Sequence, residues 1–317
     1  MEWIVYYYNN ITYNSGFFNY FSGKVTYNFS YPNIGNYTVE LVCHSGVYIN
    51  PCSSTSVYLA VGQPTVPNVN WDGYEFSVTN SGVLQPIYTV SAKFLIPSTS
   101  APSSIQTMAT ASSAWIGLSS QQGGNGGLIQ CGWTSVASYW GMQVLPYHIF
   151  IWTEIFSTNS AQNVPTSIVY GINQNLAGDT IYAKITGNGQ IWYMTLSDLN
   201  KGFNKTYTFT DVETPHYAQI VYETPAFYFF TFNGKNYYQI AQSDTFSSCN
   251  ANSIHAQFSG TGTLAVTTYV LYQYQPVGTY PPTVSFSGSY NINSGTVTGS
   301  ETWTWNNDEY NLPLVGI

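Results

Sequence analysis

The chain has 317 residues, of which only 6 % are charged, with 14 Asp and Glu against six lysines and no arginine, for a net charge of −8. Soluble domains ordinarily carry about 25 % charged residues, and nucleic-acid binding needs a basic stripe that these scattered lysines do not form. A hydrophobic share of 44 % and an aromatic share of 17 %, led by 29 tyrosines, exclude a disordered chain and supply a substantial core. The length allows one large β domain or two to three smaller ones.

What solubilises such a chain is the amides and hydroxyls of Asn, Gln, Ser, Thr and Tyr, which do not titrate in acid. Acid leaves cations repelling one another, and with so few lysines that repulsion stays small. The composition is therefore read as suited to acidic surroundings. Sequons at Asn10, Asn28, Asn36 and Asn204 point outside the cell. No apolar run approaches the ~18 residues of a membrane helix, and no signal peptide is visible. The expectation is a mature or truncated extracellular or cell-surface protein, with no membrane span in this chain.

In chain order, residues 1–66 alternate aromatic and polar residues in short runs such as Trp3–Tyr8, Lys24–Phe29, Tyr37–Val42 and Ser56–Val61. Broken by Asn, Gly and Pro, they read as strands of a small antiparallel sandwich. Cys43 and Cys52 flank a short loop and, outside the cell, suit a hairpin-closing disulfide. Gly62–Pro67 carries two prolines and reads as a linker.

From Asn70 to about Cys249 strand signals recur every eight to fifteen residues, with no helical stripe longer than a turn or two. The class is all-β. Gln121–Gly127 is a glycine-rich loop or hairpin connection. Beyond Asn250 the texture changes: Leu264–Tyr274, Thr283–Gly288 and Gly295–Trp305 are further strands, with Pro276, Pro281 and Pro282 between the first two. The expected organisation is an N-terminal accessory β module (1–66), a central β-sandwich (70–250) and a C-terminal accessory β module (251–317).

Two strands carry a chemical signal. Ala218–Glu223 is apolar and aromatic but ends on a carboxylate before Thr224-Pro225, and Leu128–Trp133 is apolar but interrupted by Gln130. The period of two sets Ile129, Cys131 and Trp133 toward a core and Gln130 toward the opposite face. A carboxylate can activate water and a carboxamide can donate to a developing oxyanion. Local pattern does not show that the two strands are neighbours.

Several stretches together resemble the glutamic peptidases, the eqolisin family: Asn70-Trp-Asp-Gly73, Tyr88–Pro97, Ala114-Trp-Ile-Gly-Leu118, Leu128-Ile-Gln-Cys-Gly132, Trp152-Thr-Glu-Ile-Phe156 and Ala218–Glu223. The resemblance covers residues 70–250. It implies an archaeal- or bacterial-like member with extra N- and C-terminal β modules, and a fold of two stacked, bent antiparallel sheets in a jelly-roll-like sandwich. It further implies Gln130 and Glu223 as the catalytic pair, with Trp115, Trp152 and Glu154 lining the substrate cleft. The substrate would be a polypeptide, cut in acid by a monomer that needs no cofactor or metal. The family's usual Asp four residues after the glutamine and its Asp two before the Trp of Trp-x-Glu are here Thr134 and Phe150.

Other chemistries fare worse. The four His and four Cys lack close zinc-ligand spacing, no Gly-x-Ser-x-Gly elbow is present, and no glycine loop leads from strand to helix to cradle phosphate. Glu154 and Glu223 could instead serve as a glycosidase pair, or the chain could be a carbohydrate-binding or non-catalytic surface protein.

Overall fold

A computed structural model describes residues 2–7, 10–14, 35–42, 55–61, 65–68, 70–102, 109–124, 126–139, 142–156, 164–171, 174–210, 213–232, 235–271, 283–291, 293–305 and 314–316. Cys43 and Cys52, the expected disulfide, lie outside the described residues. Contacts divide the chain into Met1–Thr65 and Val66–Ile317.

The first unit contains β1 (Glu2–Tyr7), β2 (Asn10–Asn14), β3 (Gly35–Val42) and β4 (Thr55–Val61), joined in one antiparallel sheet of order β2-β1-β3-β4. The expected small sandwich is represented here by this single sheet among the described residues.

The strands that follow are β5 (Thr65–Asn68), β6 (Trp71–Asn80), β7 (Val83–Leu84), β8 (Ile87–Leu95), β9 (Ala109–Ser119), β10 (Leu128–Tyr139), β11 (Met142–Phe156) and β12 (Val164–Tyr170). They continue as β13 (Thr180–Gly187), β14 (Ile191–Asp198), β15 (Phe203–Thr210), β16 (Tyr217–Glu223), β17 (Ala226–Phe232) and β18 (Lys235–Ile240). Last come β19 (Phe246–Phe258), β20 (Thr263–Leu271), β21 (Thr283–Asn291), β22 (Thr296–Trp305) and β23 (Leu314–Gly316).

These build two large sheets. The first has the order β12-β11-β10-β9-β16-β6-β20-β5, with β7 on β6, and the second β15-β14-β13-β8-β19-β22-β21; a small third sheet is β17-β18-β23. The architecture is the antiparallel two-sheet β-sandwich expected from the sequence. Among the described residues no helix is long and apolar enough to cross a membrane.

Alternation explains most strands. In β13, Ile181, Ala183 and Ile185 are buried while Tyr182, Lys184 and Thr186 are half-buried, the pattern of a sheet with one covered face. β9 departs from it, with all eleven residues buried. Its inward side, Ala114, Ile116 and Leu118, joins the main core between the sheets. Its outward side carries Trp115, which forms a separate cluster with Leu128, Trp152 and Val221 on the sheet's other face. That second cluster belongs to the site.

The C-terminal segment 251–317 is not an accessory module. β19 runs through the expected boundary at 250, β20 pairs with β6, and β22 pairs with β19. Val297 and Trp303 are buried members of the main core. Sequence texture changed there because these strands are Thr/Ser/Gly-rich, yet their hydrogen bonds close both sheets. A fragment ending at residue 250 would lose several large core side chains, each worth about 1.5–3 kcal/mol when buried. Against a typical stability of about 5–15 kcal/mol, it is expected to lack a cooperative thermal transition by circular dichroism, whereas 66–317 keeps one.

Candidate active site

The site lies on the face of the first sheet that looks away from the second. Register places its side chains in three rows across β11, β10, β9, β16 and β6. One row runs Glu154, Gln130, Gly117, Gln219, Glu75; the next Trp152, Gly132, Trp115, Val221, Gly73; the third Phe150, Thr134, Ser113, Glu223, Trp71. The consecutive strands β9, β10 and β11 thus join the sequence-distant β6 and β16 in presenting one polar and aromatic surface.

Gly132 makes the middle row possible. A Cβ there would stand 2.2 Å from the Ala114 carbonyl oxygen and 2.5 Å from Trp115 Cβ, so only glycine lets the strands carrying Trp115 and Trp152 close up. Trp115 is fully buried, and its Nε1 donates to Glu223 Oε2 at 2.6 Å. Trp152, 4 % exposed, donates from Nε1 to Thr134 Oγ1 at 2.8 Å, and that hydroxyl passes its own hydrogen to Ser113 Oγ at 3.0 Å. Both indoles therefore brace the site from beneath. Thr134 fills an indole's hydrogen-bonding need with no added charge.

Gln130 is 5 % exposed and donates from Nε2 to Glu154 Oε2 at 2.7 Å, while its Oε1 is buried without a partner. Glu154 also accepts from Thr166 Oγ1 at 2.5 Å. Glu223, at the end of β16, accepts from Asn70 Nδ2 at 2.8 Å as well as from Trp115, and the Trp71 side chain hydrogen-bonds to it. Among the described residues no hydrogen bond links Gln130 to Glu223. They stand opposite Gly117 and Ser113 of β9, a backbone offset of about 13 Å along a strand. The charge of Glu154, the hydrogen-bond partner of Gln130, is felt at Glu223.

Burial pushes Glu223 up to about 7, with the Trp115 hydrogen bond opposing and the Glu154 charge adding to the rise. Burial likewise raises Glu154, against the hydrogen bonds from Thr166 and Gln130. The charge of Glu154 is thus one reason, after burial, that Glu223 resists ionisation.

All five site residues named from the sequence, Gln130, Glu223, Trp115, Trp152 and Glu154, fall on this face. Asn70, Trp71, Glu75, Gly132 and Thr166 were missed as functional residues. Asn70-Trp71 was visible as part of a motif, but its role depends on β6 lying beside β16, which no local pattern reveals. Cys131 and Cys249 are free, buried thiols in the main core. Asn204, one of the sequons, is exposed on β15. Among the described residues no three His, Cys, Asp or Glu side chains are grouped so as to hold a metal ion.

No family model and no curated protein matches the chain. Among solved structures, scytalido-glutamic peptidase with a transition state analog inhibitor is 18 % identical, with a TM-score of 0.49, over 73 % of this chain and 97 % of that one. SCP-B, a member of the eqolisin family in complex with the tripeptide Ala-Ile-His, is 17 % identical with a TM-score of 0.44 over the same shares. Aspergilloglutamic peptidase from Aspergillus niger is 15 % identical with a TM-score of 0.35, over 62 % of this chain and 99 % of that one. Overlaps this low between chains this different do not carry residue roles from one to the other.

Proposed function

We propose that this chain is a secreted endopeptidase in which Glu223 is the general base and Gln130 the oxyanion donor. The observation that carries the reading is the gathering of two carboxyls, Glu154 and Glu223, and a buried carboxamide on one face, with the charge of Glu154 felt at Glu223 and indoles bracing the site. Together with the ordered motifs of residues 70–223, it favours amide hydrolysis.

Glu223, ionised, takes a proton from water as the water oxygen bonds to the scissile carbonyl carbon. The carbonyl electrons move onto its oxygen, which accepts the Gln130 N–H that Glu154 does not use; a carboxamide has two N–H groups. Protonated Glu223 then gives its proton to the nitrogen as the C–N bond breaks, so one residue serves as base and then acid. Trp115, Trp71 and Asn70 hold the carboxylate in place while its charge changes. Glu154 orients Gln130, and its charge opposes the ionisation of Glu223.

The working form is the one with Glu223 ionised. Because burial raises Glu223 to about 7, cleavage is expected to rise with pH well above the ordinary Glu value of ~4.3 and to level off as Glu223 ionises. The rising limb then lies above where an unperturbed Glu would set it. Casein digestion across pH 3–8 tests this, with oligosaccharide hydrolysis as the counter-assay because the same two carboxyls would suit a glycosidase. In Glu154→Gln, which removes the repelling charge, the rising limb is expected to shift toward acid. A rising limb unmoved in that variant, or sugar cleavage without casein cleavage, would sink the reading.

A further inference from the structure

Glu75 is a buried carboxyl on the site face that the mechanism above leaves unused. It is 2 % exposed on β6, opposite Gln219 of β16 and Thr267 of β20. It accepts from the Gly123 backbone N–H at 2.9 Å, from Gln219 Nε2 at 2.8 Å and from the Tyr269 hydroxyl at 3.2 Å. The first donor comes from a tight turn, Gln122–Gly124, inside the glycine-rich connection of β9 to β10, with Gly123 at φ +73. That turn is tied down elsewhere, since Gln122 Nε2 donates to Thr267 Oγ1 at 3.1 Å and Ser120 Oγ to Glu213 Oε2 at 2.7 Å.

The turn rests on an indole. Gly124 has φ +72, in the left-handed region, and a Cβ added to it would lie 2.6 Å from Trp71 Cη2. Trp71 stands directly across from Glu223 in the β6–β16 register. Its ring meets Trp115 edge-on at 5.0 Å and Tyr269 at 5.7 Å, and its side chain hydrogen-bonds to Glu223. A continuous line of contacts therefore joins Glu75 to Glu223 through the backbone of a glycine turn and one aromatic ring.

We propose that Glu75 is a positioning residue for Glu223: it seats the Gln122–Gly124 turn, the turn holds the Trp71 indole, and the indole holds the base. This deepens the catalytic reading of Glu223 and rests on it. The glycine-rich connection is then a clamp, and glycine is required at 124 because any side chain would push the indole off its carboxylate. Three donors converging on Glu75 call for an acceptor-only partner, which a carboxylate supplies. An amide oxygen still accepts from Gly123, so Glu75→Gln should keep the turn seated while Glu75→Ala releases it.

The test uses the full chain with 13C-labelled glutamate, following the Glu223 carboxyl by NMR across pH and identifying its signal by its loss in Glu223→Gln. In Glu75→Ala and Gly124→Ala the Glu223 midpoint should rise by about one unit, because an indole donor to the ionised form is lost. Glu75→Gln should leave it unchanged. In the first two variants kcat for casein should fall about 10-fold, the size of one lost hydrogen bond to a charged group, with KM little altered. Glu154, the ionisable group whose charge reaches Glu223, is the same in all of them. Midpoints equal to wild type in both Glu75→Ala and Gly124→Ala would overturn the proposal. So would a Glu75→Gln shift as large as that of Glu75→Ala, which would mark an effect of charge through space. Should Glu75→Ala fail to fold, Gly124→Ala decides alone, with no charge changed. A wild-type protein that leaves casein intact would end the catalytic reading, while the NMR midpoints still decide whether Glu75 positions Glu223.

Discussion

Glu223→Gln is expected to abolish casein cleavage, by about 10²–10⁴-fold or more for loss of a general acid–base, while leaving the fold intact. Its amide oxygen can still accept from Trp115 Nε1, so the brace beneath it survives. Gln130→Ala should cost about 10²–10³-fold, as for removal of other oxyanion donors, and it leaves Glu154 with Thr166 as a partner. A second readout separates catalysis from folding. Burial raises Glu223 to about 7, so the folded state holds this proton where an unfolded chain has released it, and stability falls as pH climbs through that window. Replacing the carboxyl by an amide removes that loss. At pH 8 the inactive Glu223→Gln protein should unfold at a higher temperature than wild type. A folded Glu223→Gln enzyme cleaving at the wild-type rate would end the catalytic reading, and a lower melting point at pH 8 would end the account of its burial.

The same reasoning applied to the core predicts a protein that is most stable in acid. Asp72 and Glu301 are fully buried between the two sheets, and none of their four carboxyl oxygens has a hydrogen-bond partner. Burial raises both well above the usual carboxylate range, and the charge of Asp72 raises Glu301 further. Tyr74 beside them is pushed up to about 12 by burial and by both carboxyls. Asp244 is raised by burial to about 7 despite accepting from Ser135. For the three carboxyls the folded pKa lies above the unfolded one, so the stabilisation is complete below ~4 and is lost as pH rises through the folded value. For Asp244 that window runs from ~4 to about 7, and for Asp72 and Glu301 it likewise reaches well above the usual carboxylate range.

Each group that keeps its proton only in the folded state lowers stability by roughly 1.4 kcal/mol per pH unit within its window. Several acting together can exhaust a typical stability of about 5–15 kcal/mol. The urea midpoint is therefore expected to fall steadily from pH 4 to pH 8, opposite to the behaviour of salt-bridged carboxylates. The double replacement Asp72→Asn with Glu301→Gln should flatten that slope. A midpoint constant across the range in wild type, or a slope unchanged in the double variant, would contradict it. Both ends of the proposed activity profile then have a structural origin: ionisation of Glu223 sets the rising limb, and the protons that the core holds set the fall.

How much of this was legible in the sequence can be followed residue by residue. Alternation in Leu128–Trp133 correctly sets Ile129, Cys131 and Trp133 in the core and Gln130 on the other face, because a strand's side-chain period is a local property. The all-β class was legible for the same reason. The limit of residues 66–317 was not legible, since strands such as β20 and β22 become part of the central sheets through backbone hydrogen bonds, which carry no side-chain signature. Equally hidden were the burial of Asp72 and Glu301 and the support that Asn70, Trp71 and Glu75 give the site. Asp72, in a run written Trp-Asp-Gly-Tyr-Glu, looks like a turn residue, and only the packing of the second sheet over β6 turns it into a proton held in the core. Sequence sets which face of a strand each residue occupies. Which strands become neighbours, and hence which side chains share a proton or brace a carboxylate, is decided by long-range pairing and by the dielectric that pairing creates.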